Sequence, residues 1–343
     1  MLRTLLQSNP QNHWQKHVIE YDLDAVPPQS LQIYSDDSVS ILSENDSPDV
    51  PFRFSVNPYR GCAHGCAYCY ARTTHEYLGF GSGSDFERKI VVKQRASELL
   101  RVALERRKWA GDCIMFSGNT DCYQPLEAQL GLTRQCLQVC LEYRNPVHVI
   151  TKSSLVERDI ELLQKLHEQA GISVTISVTF WDSDVARAIE PYAPTPARRI
   201  ETIRRLAARN IPVGVNMAPL IPGLSDRDLI PILEAARSAG AVSAGAILLR
   251  LPGSSAAVFA ERLHAALPGR AEKILRRVRE MRNGRLNDSR FHARMTGEGR
   301  YADALVRMFE STVHRLGFGD FPESRPRTFR RPGQSTQLQL FDE

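Results

Sequence analysis

Short β-rich runs alternate with amphipathic helical stretches six times between residues 52 and 267, and no other feature of the 343-residue sequence limits the fold as tightly. The runs at 52–56, 113–117, 147–151, 172–179, 212–217 and 242–249 read as strands. In the stretches 94–108, 133–144, 155–169, 196–209, 226–238 and 255–267, apolar residues recur three and four apart, as at Leu162, Leu163 and Leu166. Thr133 supplies a helix start, and Gly171 and Gly240 supply stops. Such alternation demands a parallel sheet, which right-handed crossovers curl into a full or partial barrel. The expected fold is therefore α/β, a partial (β/α)6 TIM-like barrel, with function on the loops that follow the strands.

One of those loops carries the main chemical signal. The seven cysteines are odd in number, and Cys62, Cys66 and Cys69 crowd into NPYRGCAHGCAYCYAR (57–72), directly after the first strand. Disulfides do not suit that spacing, whereas one loop presenting three thiolates suits an iron–sulfur cluster or zinc. A closed site of either kind wants a fourth ligand. His64 or His75 would complete a zinc site, although no second Cys or His pair stands at finger spacing. Thiolates meant for metal need a reducing compartment, so a cytoplasmic location is expected.

C-x3-C-x2-C with Tyr68 before the last cysteine resembles the signature of the radical S-adenosylmethionine (SAM) superfamily. The wider NPYRGCxHGCxYCYAR, together with TDxYQPxE, resembles a narrower group, the spore photoproduct lyase-like (DNA repair photolyase-like) proteins, over residues 37 to 250. The resemblance implies that Cys62, Cys66 and Cys69 hold a [4Fe-4S] cluster whose fourth iron binds the amino and carboxylate groups of SAM. It also implies reductive cleavage of SAM to a 5′-deoxyadenosyl radical that abstracts hydrogen from a substrate, with an electron donor such as flavodoxin or ferredoxin.

Further site residues follow from the same resemblance. The second strand runs into Ser117-Gly118-Asn119-Thr120-Asp121, a small polar turn, and Asn119, Thr120 and Asp121 are assigned to the SAM amino group. IEPYAPTPARRIETI (189–203) resembles a Glu-Pro…Pro…Arg segment, which makes Ser177, Glu190 and Arg199 candidates for the ribose and carboxylate of SAM, with Tyr68 in the same cofactor-binding set. The stretch 216–224 resembles an apolar loop that packs on adenine, Met217 and Ile221 being equally suited to the core. Cys113, Cys136 and Cys140 read as buried, inert thiols. Cys122 sits in a loop expected to face the cluster, where a thiol can return a hydrogen atom, so Cys122 and Tyr123 are the catalytic candidates. The lyase carries its donor cysteine just before this turn's Asp, where the present chain has Gly118 and Asn119, so the lyase's own route is not implied.

Charge divides the chain unevenly. The net charge is +5, yet residues 270–331 hold 16 basic side chains against 8 acidic, which leaves the remainder at −3. Arg276, Arg277, Arg279 and Arg282 are candidate nucleic-acid contacts, a solvated helix face being the plain alternative. Hydrophobic residues at 42% and charged residues at 24% are ordinary for a globular protein. No secretory signal is expected from the first residues, and the longest apolar stretch, 240–249, stops at Arg250, short of a membrane span. The expected organisation is an N-terminal extension (1–50), a core barrel (51–268), an Arg-rich helical extension (269–317) and a flexible tail (318–343). In that tail Gln337, Leu338, Leu340 and Phe341 form QLQLF, which resembles the peptide by which repair proteins dock on the bacterial sliding clamp. The expected activity is that of a radical SAM enzyme acting on nucleic acid. The alternatives are a small-molecule or peptide substrate, and a non-catalytic iron–sulfur or zinc DNA-binding protein.

Overall fold

The computed structural model describes residues 31–321 and 328–333. Among these residues ten strands form two sheets: β1 (Gln32–Ser35), β2 (Leu42–Glu44), β3 (Phe54–Val56), β4 (Tyr59–Arg60), β5 (Lys89–Val92), β6 (Ile114–Phe116), β7 (Val147–Thr151), β8 (Ile172–Ser177), β9 (Val213–Leu220) and β10 (Ser243–Leu248). The larger sheet runs β10-β9-β8-β7-β6-β3-β2. Its six sequential strands from β3 to β10 pair in parallel, and only β2 is antiparallel. The architecture is the α/β partial barrel that the alternation demands. The small sheet, β1-β5-β4, was not legible in the sequence, and β1 and β2 tie part of the N-terminal extension into the two sheets.

Among the described residues twelve α-helices accompany the strands: α1 (Ser84–Arg88), α2 (Ala96–Glu105), α3 (Glu127–Leu130), α4 (Leu132–Glu142), α5 (Ile160–Gln169), α6 (Ser183–Ile189), α7 (Pro196–Ala207), α8 (Leu229–Ser238), α9 (Ser255–Ala266), α10 (Pro268–Glu280), α11 (Ala293–Thr296) and α12 (Arg300–Arg315). Among the described residues no helix is long and apolar enough to cross a membrane. Period-2 alternation in the strands decides which face each residue takes. Val147, Val149, Val174, Ile176, Val213 and Val215 are buried in the core together with Leu137, Leu163, Leu206 and Leu233 of the helices. Burying each such side chain contributes roughly 1.5–3 kcal/mol.

The opposite face of the strands is different. Barrel interiors are usually filled by bulky branched residues, but here the inner positions include His148, Ser173, Thr175, Ser177, Gly214, Asn216, Ser243 and Gly245. Ser177, Asn216 and Gly245 lie side by side across β8, β9 and β10. With so little bulk inside, the lumen stays open.

The sheet also stays open at its edges, β10 and β2. Helix α11 packs on β10, and Asp49, which follows β2, accepts hydrogen bonds from the His292 N–H and the Arg294 guanidinium. Arg294 also donates to Ser47 Oγ at 2.6 Å, so this segment spans the gap.

The expected flexible tail is corrected by the structure over 318–321 and 328–333. Gly319 donates to the Val242 carbonyl at 2.9 Å, and the Phe321 ring lies edge-on to His148 with centroids 5.3 Å apart. A Cβ on Gly214 would stand 2.6 Å from that ring, so glycine makes the seat. Farther on, Phe329 stacks on Tyr143, Arg330 N–H donates to the Tyr143 carbonyl, and Arg331 donates to the Arg106 carbonyl. Aromatic anchors thus dock a segment whose Pro, Gly and Arg content reads as disordered. Gln337, Leu338, Leu340 and Phe341 lie outside the described residues.

Candidate active site

The cysteine loop connects β4 to the 3₁₀ helix Tyr70–Leu78 and is held almost entirely by backbone carbonyls and the side chains that bind them. Gly61 has φ +80, and a Cβ there would meet His75 Cε1 and the Phe86 carbonyl at 2.9 Å. The Gln124 amide bridges the loop, accepting from Ala63 N–H and donating to the Gly61 carbonyl, both at 3.0 Å. Arg72 is fully buried and forks between two strands of chain. Its Nε and Nη2 reach the Cys66 carbonyl at 3.1 and 2.8 Å, Nη2 reaches the Gly65 carbonyl at 3.2 Å, and Nη1 reaches those of Ser82 and Gly83 at 3.0 and 2.9 Å. Glu87 pairs with Arg72 and also with Arg262 at 2.5 Å.

Held this way, Cys62, Cys66 and Cys69 all line one cavity of about 490 Å³ at the C-terminal ends of the parallel strands. The three cysteines border a shared volume, and among the described residues no three His, Cys, Asp or Glu side chains are grouped to hold a single metal ion. Burial pushes all three thiols above the ordinary range, with Asp121 and the other two cysteines adding to it at Cys62. The thiolate is the ligating form, so metal uptake here must displace protons. Three thiolates around one roomy cavity are a donor set that fits a cluster with one open iron. Of the two histidines weighed for zinc, His64 lines the cavity, whereas His75 Nε2 meets the Lys89 carbonyl at 2.8 Å outside it.

Ser117 to Asp121 also line the cavity, with Ser177 and Tyr68. Asp121 Oδ1 accepts from Thr151 Oγ1 at 2.7 Å and Tyr123 N–H at 2.9 Å, and Oδ2 from Lys152 N–H at 2.8 Å. Thr120 is spent on scaffolding, donating to the Tyr59 carbonyl and accepting from Asn57. Asn119 Nδ2 reaches Thr74 Oγ1 at 3.4 Å. Lys152 was not singled out by the sequence, although it directly follows a parallel strand. It lines the cavity with its Nζ 5.6 Å from the Tyr68 ring centroid, and burial lowers its pKa. A cation there suits a ligand carboxylate. Met217 and Ile221 are in the core, and Ala218 and Pro219 line the cavity beside them.

Several expected roles are corrected. Glu190 and Arg199 do not line the cavity: they pair with each other, Glu190 accepts from the Tyr68 hydroxyl, and Arg199 donates to the Ser177 carbonyl at 3.1 Å. Both therefore brace Tyr68 and Ser177 from behind. Cys122 and Tyr123 are fully buried in the main core, Tyr123 donating to Asp159 at 3.0 Å. Apolar packing below the turn takes them away from the cavity. Arg282 is 3% exposed and donates to the carbonyls of Leu249 and Ala293, which bolts α10 to β10. Arg276 and Arg277 pair with Glu280 on the outer face of α10, and neither they nor Arg279 line the cavity.

The cavity rim instead carries Tyr70, Arg250 and Arg294. Tyr70 is 43% exposed and donates to the Gly118 carbonyl at 3.0 Å. Arg250 meets Met295 Sδ at 3.3 Å and the Tyr70 ring at 5.8 Å, and pairs with no carboxylate among the described residues.

Residues 56–236 match the Radical SAM superfamily. The chain belongs to that superfamily. Its members are enzymes that use a [4Fe-4S] cluster and SAM. An uncharacterized protein of Mycobacterium tuberculosis is 35% identical over 233 residues, which cover 66% of this chain and 68% of the relative. An uncharacterized protein of Methanocaldococcus jannaschii is 29% identical over 178 residues, covering 52% and 64%. Among solved structures, spore photoproduct lyase complexed with dinucleoside spore photoproduct shares the fold at a TM-score of 0.59 and 14% identity, over 83% of this chain and 80% of that one. The radical SAM barrel is thus the frame around this cavity.

Proposed function

We propose that this radical SAM enzyme binds a [4Fe-4S] cluster through Cys62, Cys66 and Cys69 and acts on nucleic acid. The observation that carries the reading is the convergence of three loop thiols, the Asp121 carboxylate and the Lys152 ammonium on one cavity. When bound, cluster and SAM supply a 5′-deoxyadenosyl radical by one-electron cleavage of the sulfonium. Lys152 pairs with the SAM carboxylate, and Asp121 receives its amino group. Tyr68, braced by Glu190, keeps Lys152 in place through its ring face.

The substrate class rests on the rim. Arg250 and Tyr70 offer a cation and an aromatic face at the cavity mouth, the pairing that takes a phosphate and a stacked base. The lyase sharing this fold was solved with a dinucleoside spore photoproduct, which agrees with that reading. A small-molecule or peptide substrate is the second reading, favoured by the pairing of α10 arginines with Glu280. Flavodoxin or ferredoxin is the proposed electron donor, in a reducing cytoplasm that suits the thiols. QLQLF at 337–341 is proposed to dock on the bacterial sliding clamp.

Anaerobic reconstitution tests the first step: iron and sulfide bound together, with 5′-deoxyadenosine formed from SAM and dithionite, both lost in Cys69→Ala. Bound zinc without SAM cleavage refutes it. For the substrate, Arg250→Ala is expected to weaken oligonucleotide binding and lower the salt slope by about 1. An unchanged slope with Arg250→Ala and with Arg276→Ala/Arg277→Ala refutes the nucleic-acid reading. Titrating the host's clamp with peptide 332–343 tests the tail, and no binding at about tens of micromolar removes it.

A further inference from the structure

Two residues lining the cavity carry a buried polar atom with no hydrogen-bond partner among the described residues, Asn216 and, beside the cysteines, His64. His64 stands between Cys62 and Cys66, is 2% exposed, and lines the cavity with a buried Nδ1 that makes no hydrogen bond. Well over nine-tenths of buried polar groups find partners, and an orphan costs about 1–3 kcal/mol, so such an atom points to a group that completes it.

The backbone that carries the imidazole is held on both sides. Ala63 N–H is held by Gln124 at 3.0 Å, and the His64 carbonyl accepts from Tyr192 N–H at 3.3 Å, which pins the backbone on both sides of the ring. What Nδ1 faces is rich in acceptors. Asp121 Oδ2 lies 3.5 Å away, longer than a made N–H···O bond, and Cys62 and Cys66, two positions to either side of His64, line the same cavity. A bare lone pair on Nδ1 would be repelled by that carboxylate, which assigns the proton to Nδ1.

We propose that His64 Nδ1–H is a hydrogen-bond donor to a sulfur of the iron–sulfur cluster, setting its reduction potential, and is not a fourth ligand. This rests on the cluster reading above. Donation to cluster sulfur favours the more negative, reduced state and so raises the potential. His64 is accordingly a positioning and tuning residue, tested on the cluster itself.

The experiment uses the reconstituted full chain, His64→Leu and His64→Asn. Iron and sulfide are counted first, and the cluster's midpoint potential is then measured by redox titration followed by electron paramagnetic resonance, with and without SAM. The expected result is a potential shifted negative in His64→Leu without SAM, and returned toward the parent in His64→Asn, whose amide restores a donor. Equal potentials in all three proteins overturn the proposal. So does a shift seen only with SAM, which would place the donor on SAM, and so does loss of iron in both variants, which would make His64 a ligand. Zinc in place of iron in the parent refutes the cluster reading and this donor with it, whereas a loaded parent with an unshifted His64→Leu refutes the donor alone.

Discussion

Replacing Arg72 with lysine keeps a positive charge beside Glu87 and removes the fork, which isolates the feature that shapes the cysteine loop. The guanidinium serves the carbonyls of Cys66, Gly65, Ser82 and Gly83 at once, from both of its sides. An ammonium is a single point with three donors on a shorter reach, so it cannot satisfy both the 65–66 and the 82–83 carbonyls. At least two buried acceptors lose their donors at about 1–3 kcal/mol each, a local loss of about 3 kcal/mol. Glu87 stays paired through Arg262, so the larger penalty of an abandoned buried charge does not arise. At about 1.4 kcal/mol per decade, the loop opens roughly 100-fold more often. Because Cys66 sits on the released segment, the expected readout is iron lost to a chelator about 100-fold faster in Arg72→Lys, with exposed Arg88→Lys behaving as the parent. A lysine variant that holds its iron as long as the parent would refute the claim that this fork positions the ligands.

Three further outcomes follow from side-chain placement. Cys122→Ala and Tyr123→Phe are expected to cost about 1 kcal/mol each in urea unfolding and to leave 5′-deoxyadenosine formation unchanged, since both side chains lie in the core; loss of SAM cleavage with full iron would restore them to the site. Gly214→Val puts a side chain where Phe321 packs, so limited proteolysis is expected to release the segment after residue 317 faster than in the parent. Asp49 is pulled opposite ways: burial would raise its pKa, but hydrogen bonds from His292 N–H and Arg294 outweigh it and hold the carboxyl below its ordinary value. Its contribution is therefore present above pH about 4 and lost as pH falls through the lowered value, so amide exchange in 288–296 is expected to rise only under acid conditions, and a rise near neutral pH would contradict this.

The barrel was legible because its evidence is local and periodic. Valine and isoleucine on alternate strand positions and leucines three and four apart mark which faces are buried, and those faces leave few topologies. The ligand loop was legible for a similar reason: three cysteines within eight residues are a local pattern. What failed was side-chain direction at single positions. Nothing in TDCYQ tells that Asp121 turns into the cavity while Cys122 and Tyr123 turn under it, because one residue of phase in a non-repeating turn decides the matter. Lys152 was missed for the converse reason: a lone lysine after a strand carries no motif, and only burial beside Asp121 and Tyr68 gives it meaning.

The charge asymmetry shows the same limit and ends by moving the candidate binding face. Composition concentrates arginine in 270–331, which invites an electrostatic reading of α10. In the structure four of those guanidiniums are held by partners within the protein, in three physically distinct ways. Arg282 satisfies carbonyls inside the fold, Arg276 and Arg277 are answered by Glu280, and Arg294 is bound by Asp49. Exposed pairs of the second kind contribute little to stability, and Glu280 offsets one of the two arginine charges. Arg250 stands outside the cluster in sequence, yet it is the cation at the cavity mouth with no carboxylate partner among the described residues. Affinity for a polyanion depends on cations left free to meet phosphates, not on their number in a window of sequence. Substituting Arg250 should therefore weaken oligonucleotide binding more than substituting Arg276 and Arg277 together, and the reverse order in a titration at fixed salt would return the interface to α10.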